Sequence, residues 1–336
     1  MFKIFLQKVM AGEHLTFSEA GQAMEEIMSG GAPAVQIAAF ATALRLRGET
    51  VEELAGFVTA MRQRSVKLAV SDPNAIDTCG TGGDGAGTFN ISTAAALIAA
   101  GAGATVVKHG GKGISSACGS ADVFAELGVK IDASPEVVGQ CVEEVGIGFC
   151  FAPVFHPGMK TAAPVRQELG FRTFFNLLGP LANPAGVKRQ LLGVFHPSWT
   201  EKLVAVLQLL GSERILSFSN RGGMDELSFD FPSQAVELSS GAVREFVLET
   251  SGWGYRPAGF RELAGGNPGE NAAIILAILN GEKSPRRDAA VLNAAAALYV
   301  AGKADTVRDG LPLAEEAIDS GRAKKKLELL VETSTK

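Results

Sequence analysis

The feature that most constrains the fold is a change of pattern near residue 71. Before it, the sequence carries only helical patterns, whereas from Ala75 onward short apolar runs alternate with helical segments joined by glycine-rich turns. Such alternation is typical of parallel strands with helices on both faces of the sheet. We therefore predict an α/β fold: a small N-terminal helical domain over residues 1–70, then a larger α/β domain over residues 71–336 with a mixed, mainly parallel central sheet.

Individual elements are predicted from their apolar runs and capping residues. In the first domain, helices are predicted from Phe2 to Met10, from Thr16 to Gly30, from Pro33 to Gly48 and from Thr50 to Ser65. Strands are predicted over Ala75 to Thr78, Ala104 to Lys108, Ile147 to Phe151, Gln190 to Phe195 and Arg214 to Ser219, followed by a hairpin within residues 234–250. Helices between the strands are predicted near Ile91 to Ala100, Ala121 to Leu127, Pro135 to Val145 and Ser198 to Leu210. The closing helices are predicted over Asn271 to Leu279, Asp288 to Ala301 and Leu313 to Val331.

Charge and hydropathy exclude several classes of function. The 31 Lys and Arg residues against 36 Asp and Glu residues give a net charge of −5, which argues against a nucleic-acid partner or an anionic membrane. The apolar stretches fall short of the roughly 18 residues that span a bilayer, and the first residues lack the pattern of a secretory signal. We expect a cytoplasmic protein whose anionic ligands are bound by local clusters of donors.

The first such cluster is the glycine-rich segment Asp77–Thr93, which follows a predicted strand and enters a helix. Its glycines allow close approach of a ligand to the backbone, and Asn90, Ser92 and Thr93 add polar groups beside free helical N–H groups. A phosphate group suits this arrangement. The segment is neither a Walker loop nor a good Rossmann fingerprint, and a purely structural turn is the alternative.

A second glycine-rich segment, Lys108–Asp122, also follows a strand and opens a helix. It brings Lys108 and Lys112 to the same edge of the sheet, together with three serines that can donate to phosphate oxygens, Ser115, Ser116 and Ser120. In an acidic protein this is a concentrated site for an anion. Solvated surface lysines are the alternative.

Two further segments carry candidate ligands. Residues 151–184 set polar groups among apolar ones, which suits an aromatic acid held by an arginine, although Arg166 and Arg172 could equally be structural ion-pair partners. Asp225 and Glu226 follow the predicted strand that ends at Ser219, and adjacent carboxylates on a loop suit Mg²⁺. A solvated acidic turn is the alternative for this pair.

Together the four segments resemble the anthranilate phosphoribosyltransferase family over essentially the whole chain. The matching motifs are Gly-Thr-Gly-Gly-Asp at residues 80–84, Asn-Ile-Ser-Thr at 90–93, Lys-His-Gly at 108–110, Gly-Ser-Ala-Asp at 119–122, Pro-Val-Arg at 164–166, the segment 176–184, and Asp-Glu at 225–226. The resemblance implies a fold like that of the nucleoside phosphorylases and phosphoribosyltransferases, and a homodimer formed through the helical domain. It also implies transfer of the phosphoribosyl group of phosphoribosyl diphosphate (PRPP) to the amino group of anthranilate, in tryptophan biosynthesis.

The resemblance also implies roles for individual residues. The PRPP contacts would be Gly80, Gly83, Asp84, Thr88, Asn90, Ile91, Ser92, Thr93, Lys108, His109, Gly110, Gly111, Lys112, Ser115, Ser116 and Ser120. The Mg²⁺ ligands would be Ser92, Asp225 and Glu226, and the anthranilate contacts Gly80, Gly111 and Arg166. The expected catalytic groups are Lys108, Asp84 and Arg166.

The sequence departs from the family pattern at the second loop. Residues 108–112 read Lys-His-Gly-Gly-Lys where the family usually has Lys-His-Gly-Asn-Arg, and Gly222 stands where an aspartate is common. Three alternatives therefore stay open: a related phosphoribosyltransferase with another aromatic acceptor, a nucleoside phosphorylase, and a non-catalytic relative that binds nucleic acid.

Overall fold

A seven-stranded sheet forms the centre of the part of the chain that the structure describes. The structure is a computed structural model, which describes residues 1–113 and 118–336. The strands are β1 (Ile76–Gly80), β2 (Val106–Gly110), β3 (Ile147–Phe151), β4 (Arg189–Gly193), β5 (Arg214–Asn220), β6 (Ser233–Ser239) and β7 (Ala242–Leu248). Their order is β3-β2-β1-β4-β5-β6-β7. The first five strands are mutually parallel, and β6 and β7 add an antiparallel hairpin. The predicted fold class is confirmed.

Helices precede the sheet and cover it. The N-terminal helices are α1 (Phe2–Met10), α2 (Phe17–Met28), α3 (Ala34–Arg47) and α4 (Val51–Arg64). Those around the sheet are α5 (Ile91–Gly101), α6 (Ser120–Glu126), α7 (Pro135–Gln140), α8 (Ala152–Phe155), α9 (Ala163–Leu169), α10 (Phe174–Leu181), α11 (Thr200–Leu209), α12 (Pro268–Leu279), α13 (Pro285–Val300), α14 (Val307–Asp319) and α15 (Arg322–Ser334). A π-helical turn (Cys141–Val145) extends α7, and short 3-10 turns span Pro157–Thr161 and Pro197–Trp199. No helix of the described ranges is long and apolar enough to cross a membrane.

The first four helices begin and pack as their sequences dictate. Thr16 and Thr50 each cap a helix in a reciprocal capping box, as predicted from the glutamate three residues later. Their apolar faces share one core with α10 and α11. At its centre the ring of Phe57 lies 4.8 Å from that of Phe174 on α10, and Phe40 meets both rings edge-on. The helical segment is therefore fixed to the larger part of the chain by a continuous hydrophobic core.

The prediction of a single helix from Leu313 to Val331 is wrong. The structure has two helices there, separated at Gly321, whose φ of +76° is left-handed and ends the helical path. The first of them also begins earlier, because Thr306 caps it by accepting a hydrogen bond from the N–H of Asp309 at 3.1 Å. The predicted helix Pro135–Val145 is α-helical only to Gln140 and ends as the π-helical turn.

The C-terminal helices pack so closely that their backbones are in contact. Helix α13 is rich in buried alanine and packs against α5 and α14. A Cβ placed on Gly310 of α14 would lie 2.6 Å from the carbonyl oxygen of Ala295 on α13, and one on Gly101 of α5 would lie 2.7 Å from Cα of Ala323. These two glycines set the spacing of the helical layer behind the sheet.

We predict that Gly310→Ala lowers the free energy of unfolding by about 1–3 kcal/mol, because the added methyl group must displace the backbone of α13. Gly139→Ala on α7 is the matched control: its Cβ would meet Leu68 at an ordinary 3.6 Å, and alanine favours a helix by roughly 0.5–1 kcal/mol over glycine. Urea unfolding of both variants measures the difference. Equal stability of the two variants would contradict this account of the packing.

Candidate active site

The two glycine-rich loops and the acidic pair meet at one edge of the sheet. The loops follow β1 at Gly80 and β2 at Gly110, and the acidic pair follows β5 at Asn220. These three strands are parallel, so their carboxyl ends lie at the same edge, where open α/β sheets bind ligands. The three segments therefore converge at one edge of the sheet.

The first loop is fastened to the neighbouring strand and to the acidic segment. The N–H of Thr81 donates to the Gly193 carbonyl at 3.0 Å, and the N–H of Gly82 donates to Oδ2 of Asp225 at 2.7 Å. A Cβ on Gly80 would lie only 2.4 Å from that same carboxylate oxygen. Gly83 has a φ of +72°, a backbone conformation that other residues rarely adopt. The loop therefore needs glycine for contact as well as for conformation.

The far side of this loop rests on a segment that the sequence analysis did not single out. Thr88 forms an isolated bridge with Ala264, and the N–H of Gly265 donates to the carbonyl of Gly87 at 2.9 Å. The N–H of Asn90 donates to Oδ1 of Asn271 at 2.9 Å. Only the glycine pair at 265–266 hints at this contact in the sequence. Asn271 is the main positioning residue that the sequence analysis missed.

The residues at the start of α5 differ in burial and in their hydrogen-bond partners. Ile91 and Thr93 are buried, and Oγ1 of Thr93 donates to Oδ1 of Asn90 at 3.2 Å. Ser92 is half-buried: its N–H donates to Oε1 of Glu226 at 3.1 Å, and its Oγ accepts from Nζ of Lys108 at 3.3 Å. Ser92 therefore joins the acidic pair to the buried lysine.

Three carboxylates crowd together beside this serine. The N–H of Asp225 donates to Oδ2 of Asp84 at 3.3 Å. Burial, and secondly the charge of Asp84, raises the pKa of Asp225 to about 7. Burial and the charge of Asp225 raise the pKa of Glu226 well above its ordinary value. A divalent cation would relieve this repulsion.

The donor set fits Mg²⁺, which prefers hard oxygen ligands and is usually held by one or two carboxylates together with phosphate oxygens and water. Within residues 1–113 and 118–336, no three acidic, His or Cys side chains converge closely enough to hold a metal ion by themselves. The arrangement is thus suited to a metal ion that arrives with a phosphate ligand.

Lys108 lies beneath the loops, not on the surface. Its side chain is buried, and Nζ donates to the Thr78 carbonyl as well as to Ser92. Burial lowers the pKa of Lys108, and the nearby charges of Asp77 and Glu226 oppose that shift. The solvated-lysine alternative is therefore wrong for Lys108, whereas Lys112 is exposed.

A buried polar network supports the end of β2. The N–H of His109 donates to Oδ1 of Asp77 at 3.3 Å, and Nδ2 of Asn183 donates to Oδ2 of the same carboxylate at 2.9 Å. The ring of His109 lies 3.1 Å from the Gly179 carbonyl. Burial lowers the pKa of His109 to about 3 and raises that of Asp77 to about 6. The side chain of His109 is therefore neutral.

The second loop is held on both sides by one carboxylate. The N–H groups of Gly113 and Gly119 each donate to Oδ2 of Asp122 at 2.9 Å. A Cβ on Gly110 would lie 2.2 Å from Oγ of Ser120, whereas one on Gly111 would have no atom within 4 Å. The predicted PRPP contacts Ser115 and Ser116 lie outside the described residues.

The two arginines of the third segment contact aromatic rings. The guanidinium of Arg166 on α9 lies 5.6 Å from the ring centroid of Phe175, and that of Arg172 lies 4.2 Å from that of Phe195. In the described part of the chain neither forms an ion pair, so the ion-pair alternative finds no support there. Burial lowers the pKa of Arg166. No described hydrogen bond or ring contact joins Arg166 to the two glycine-rich loops.

Comparison with known proteins gives one consistent result. Residues 72–324 match the family described as "Glycosyl transferase family, a/b domain", and residues 3–65 match its helical bundle domain. Anthranilate phosphoribosyltransferase of Moorella thermoacetica is 51% identical over 331 residues, 98% of each chain. That of Pelotomaculum thermopropionicum is 52% identical over 332 residues, covering 99% of this chain and 96% of the relative. The chain belongs to the anthranilate phosphoribosyltransferase family.

Solved structures of the family agree with this membership. The enzyme of Thermus thermophilus superposes with a TM-score of 0.93 at 43% identity, covering 98% of this chain and 99% of the other. That of Saccharomyces cerevisiae, in complex with PRPP and Mg, superposes with a TM-score of 0.91 at 27% identity, covering 99% and 98%. The family, the fold and the enzyme class, a glycosyltransferase, are thereby confirmed.

We predict that Asp225→Asn stabilises the protein at pH 8 more than at pH 5. The pKa of Asp225 is raised from an ordinary value of about 4 to about 7 in the folded state. Between these two pH values the folded state keeps a proton that the unfolded state has lost, so the free energy of unfolding falls as pH rises from about 4 to about 7. The amide keeps an acceptor for Gly82 and removes the charge. Thermal unfolding without divalent cations should show a gain of at least about 2 °C at pH 8.

Asp132→Asn, at an exposed position, is the matched control for this pH comparison. It should shift the melting temperature equally at the two pH values. A shift for Asp225→Asn that is the same at pH 5 and pH 8 would show that the buried carboxylate is not the source of the pH dependence.

Proposed function

We propose that this chain transfers the 5-phosphoribosyl group of PRPP to the amino group of anthranilate, giving N-(5-phosphoribosyl)anthranilate and diphosphate in tryptophan biosynthesis. The bond from ribose C1 to the diphosphate oxygen breaks, the bond from C1 to the amine nitrogen forms, and the amine loses one proton. The observation that carries the proposal is the meeting of both glycine-rich loops, a buried lysine and the acidic pair at one sheet edge, in a chain of this family.

The donor site would use the N–H groups of the first loop and the start of α5, which can hold a diphosphate without a large positive surface. The proposed contacts are those named from the sequence: Gly80, Gly83, Asp84, Thr88, Asn90, Ile91, Ser92, Thr93, Lys108, His109, Gly110, Gly111, Lys112, Ser115, Ser116 and Ser120. Among them, Ile91 and Thr93 are buried, so they would act through the backbone and by bracing Asn90.

Ser92, Asp225 and Glu226 would hold Mg²⁺, and Asp84 lies within reach to orient the ribose or water bound to the metal. When bound, the metal ion would stabilise negative charge on the departing diphosphate. The yeast relative with the same fold was solved with PRPP and Mg. The crowded carboxylates and their raised pKa values support a cation at this place.

Lys108 would supply a positive charge beneath the reacting group. Its Nζ is fixed by Thr78 and Ser92, so no reorganisation is needed as charge develops on the diphosphate. Lys108 is buried, and a charge in the protein interior interacts more strongly than the same charge in water. Most of the remaining acceleration would come from holding the amine against C1.

Gly80, Gly111 and Arg166 would contact anthranilate, with Arg166 binding its carboxylate. The aromatic amine is weakly basic, so its lone pair is available without prior deprotonation and no catalytic histidine is required. His109 supports this view, because it is buried, its pKa is lowered to about 3 and its Nδ1 faces the Gly179 carbonyl.

We further propose a homodimer formed through the helical domain, in the cytoplasm. Helices α1 and α3 pack against each other and expose apolar side chains. The exposed fractions are 64% for Ile4, 68% for Met10, 76% for Val35 and 84% for Leu46. An apolar surface of this kind is typical of a contact between protein chains.

We predict that the purified chain removes anthranilate fluorescence only when PRPP and Mg²⁺ are both present. Lys108→Ala, and the double variant Asp225→Ala/Glu226→Ala, should each lower turnover by more than about tenfold, or roughly 1.4 kcal/mol. Lys324→Ala, an exposed lysine on α15, should leave turnover unchanged. PRPP binding in calorimetry without any loss of anthranilate would mean that the acceptor is a different aromatic compound.

We predict that Arg166→Ala raises the KM for anthranilate by about tenfold or more while the KM for PRPP changes little, because a charge-assisted hydrogen bond to a carboxylate is lost. Steady-state rates with each substrate varied in turn give both constants. Arg45→Ala is the control, since Arg45 also lies over an aromatic ring, that of Phe171, but at an exposed position. An unchanged KM for anthranilate would refute the carboxylate contact.

A further inference from the structure

A second cluster of cationic side chains lies at the opposite end of the sheet. Arg189 and Arg214 are the first residues of β4 and β5, and they stand directly opposite each other in the parallel pair. Arg214 is in turn paired with Ser239 on β6. Strand β5 advances about 3.3 Å per residue, which places this cluster roughly 20 Å from the acidic loop. The cluster is therefore separate from the candidate active site.

Both guanidinium groups lack an ion-pair partner at close range among the described residues. In the described part of the chain neither guanidinium forms an ion pair, and Nε of each is buried without a hydrogen-bond partner. Arg189 donates one long hydrogen bond, 3.4 Å, to the Val300 carbonyl, and Arg214 lies 4.4 Å from the ring centroid of Tyr299. Each guanidinium has five N–H donors, and the described hydrogen bonds use one of them on Arg189 and none on Arg214.

Two carboxylates near the arginines, those of Glu213 and Asp72, each interact with Arg189 and with a lysine. Glu213 accepts from Nζ of Lys188 at 2.6 Å. Asp72 is hydrogen-bonded to Thr105 and also interacts with Lys303, which adds another cation to this region. Like charges placed directly opposite each other on neighbouring strands destabilise a sheet. The four cations, Arg189, Arg214, Lys188 and Lys303, therefore outnumber the two carboxylates in this region of the described chain.

An open depression of about 500 Å³ lies over these arginines, with room for a small anion and part of a larger molecule. Besides Arg189, Arg214 and Glu213, whose carboxylate also interacts with Lys188, its lining includes Ser212, Ser239 and Ser240, whose hydroxyls can donate hydrogen bonds. Two guanidinium groups with serine hydroxyls around them match the oxygens of a phosphate group, which accept several charge-assisted hydrogen bonds at once.

We propose that this depression binds a phosphate group, either inorganic phosphate or the phosphate of a small phosphomonoester. The bound dianion screens the repulsion between Arg189 and Arg214 and accepts from their unused N–H donors. The site does not depend on the proposed transferase reaction, since it uses other residues at the other end of the sheet.

A different result is expected if the role of Arg189 is only structural. Val300 ends α13, and a cation at the C-terminus of a helix is favourable without any ligand. Arg214 also lies at this end of α13, over the ring of Tyr299, but a structural role of either arginine would leave stability unaffected by phosphate. Binding of phosphate that needs both arginines distinguishes the two roles.

The experiment is equilibrium dialysis of the full chain with radiolabelled inorganic phosphate, without PRPP, whose own phosphate would compete for the site. We expect saturable binding that Arg189→Met and Arg214→Met each weaken by about tenfold or more, while Arg308→Met on the exposed face of α14 leaves it unchanged. A parallel dialysis in which ribose 5-phosphate competes with the label separates the two sources. Competition indicates a phosphomonoester site, and its absence a site for the free ion.

Binding that is equally strong in the parent and in both variants would overturn the proposal, as would the absence of saturable binding. Label bound at the active site is insensitive to Arg189→Met and Arg214→Met, so failure of the proposed function stays distinguishable from failure of this site. Should the variants not fold, modification of the parent by phenylglyoxal, mapped by mass spectrometry, gives the answer: phosphate should protect Arg189 and Arg214, and lack of protection would refute the site.

Discussion

The close approach of Asp225 to two strands is the constraint on which the site depends. A Cβ on Gly193 would lie 1.7 Å from the Asp225 carbonyl oxygen, and one on Gly80 would lie 2.4 Å from its carboxylate. Only a pair of glycines lets the acidic loop lie flat against β1 and β4. From there Asp225 holds Gly82 and, with its neighbour Glu226, reaches the start of α5. The first glycine-rich loop, from Gly82 to the start of α5, is therefore positioned by one short acidic segment.

This arrangement concentrates charge where the fold would otherwise favour apolar groups. Lys108 is buried beneath the loops, and Asp225 is buried beside them, so each loses hydration on folding. Large parts of the described interior are apolar, including the aromatic core around Phe40 and Phe57. Features that break the local rules of stability commonly mark function. The rest of the core supplies the free energy that keeps these charges in place.

Much of the fold could be predicted from local sequence, because capping and apolar periodicity act over a few residues. Strand β3 has the predicted bounds, Ile147–Phe151, and the capping boxes at Thr16 and Thr50 form as expected. The prediction of one C-terminal helix is wrong because the helical pattern continues on both sides of Gly321. The left-handed backbone conformation of Gly321 separates the two helices.

The site could be predicted less completely, because its supports come from distant parts of the chain. Asn271 holds Asn90 across 181 residues, and no local pattern links the two. Asn183 and Asp77 likewise meet across 106 residues. The burial of the Lys108 side chain could not be predicted either. Alternation along a strand assigns side chains to two faces of the sheet, but it does not show which face other elements cover. The motifs identified the loops, while long-range contacts decide how each side chain is used.

The alanine-rich helix α13 has a consequence for rigidity. Its buried residues include Ala294, Ala295, Ala296 and Ala297. Alanine has no rotamers to lose, so its burial carries almost no cost in side-chain conformational entropy, unlike the burial of longer side chains. The layer behind the sheet is thus ordered mainly by backbone contact, as at Gly310. The two glycine-rich loops consequently lie on a rigid helical layer whose ordering costs little side-chain conformational entropy.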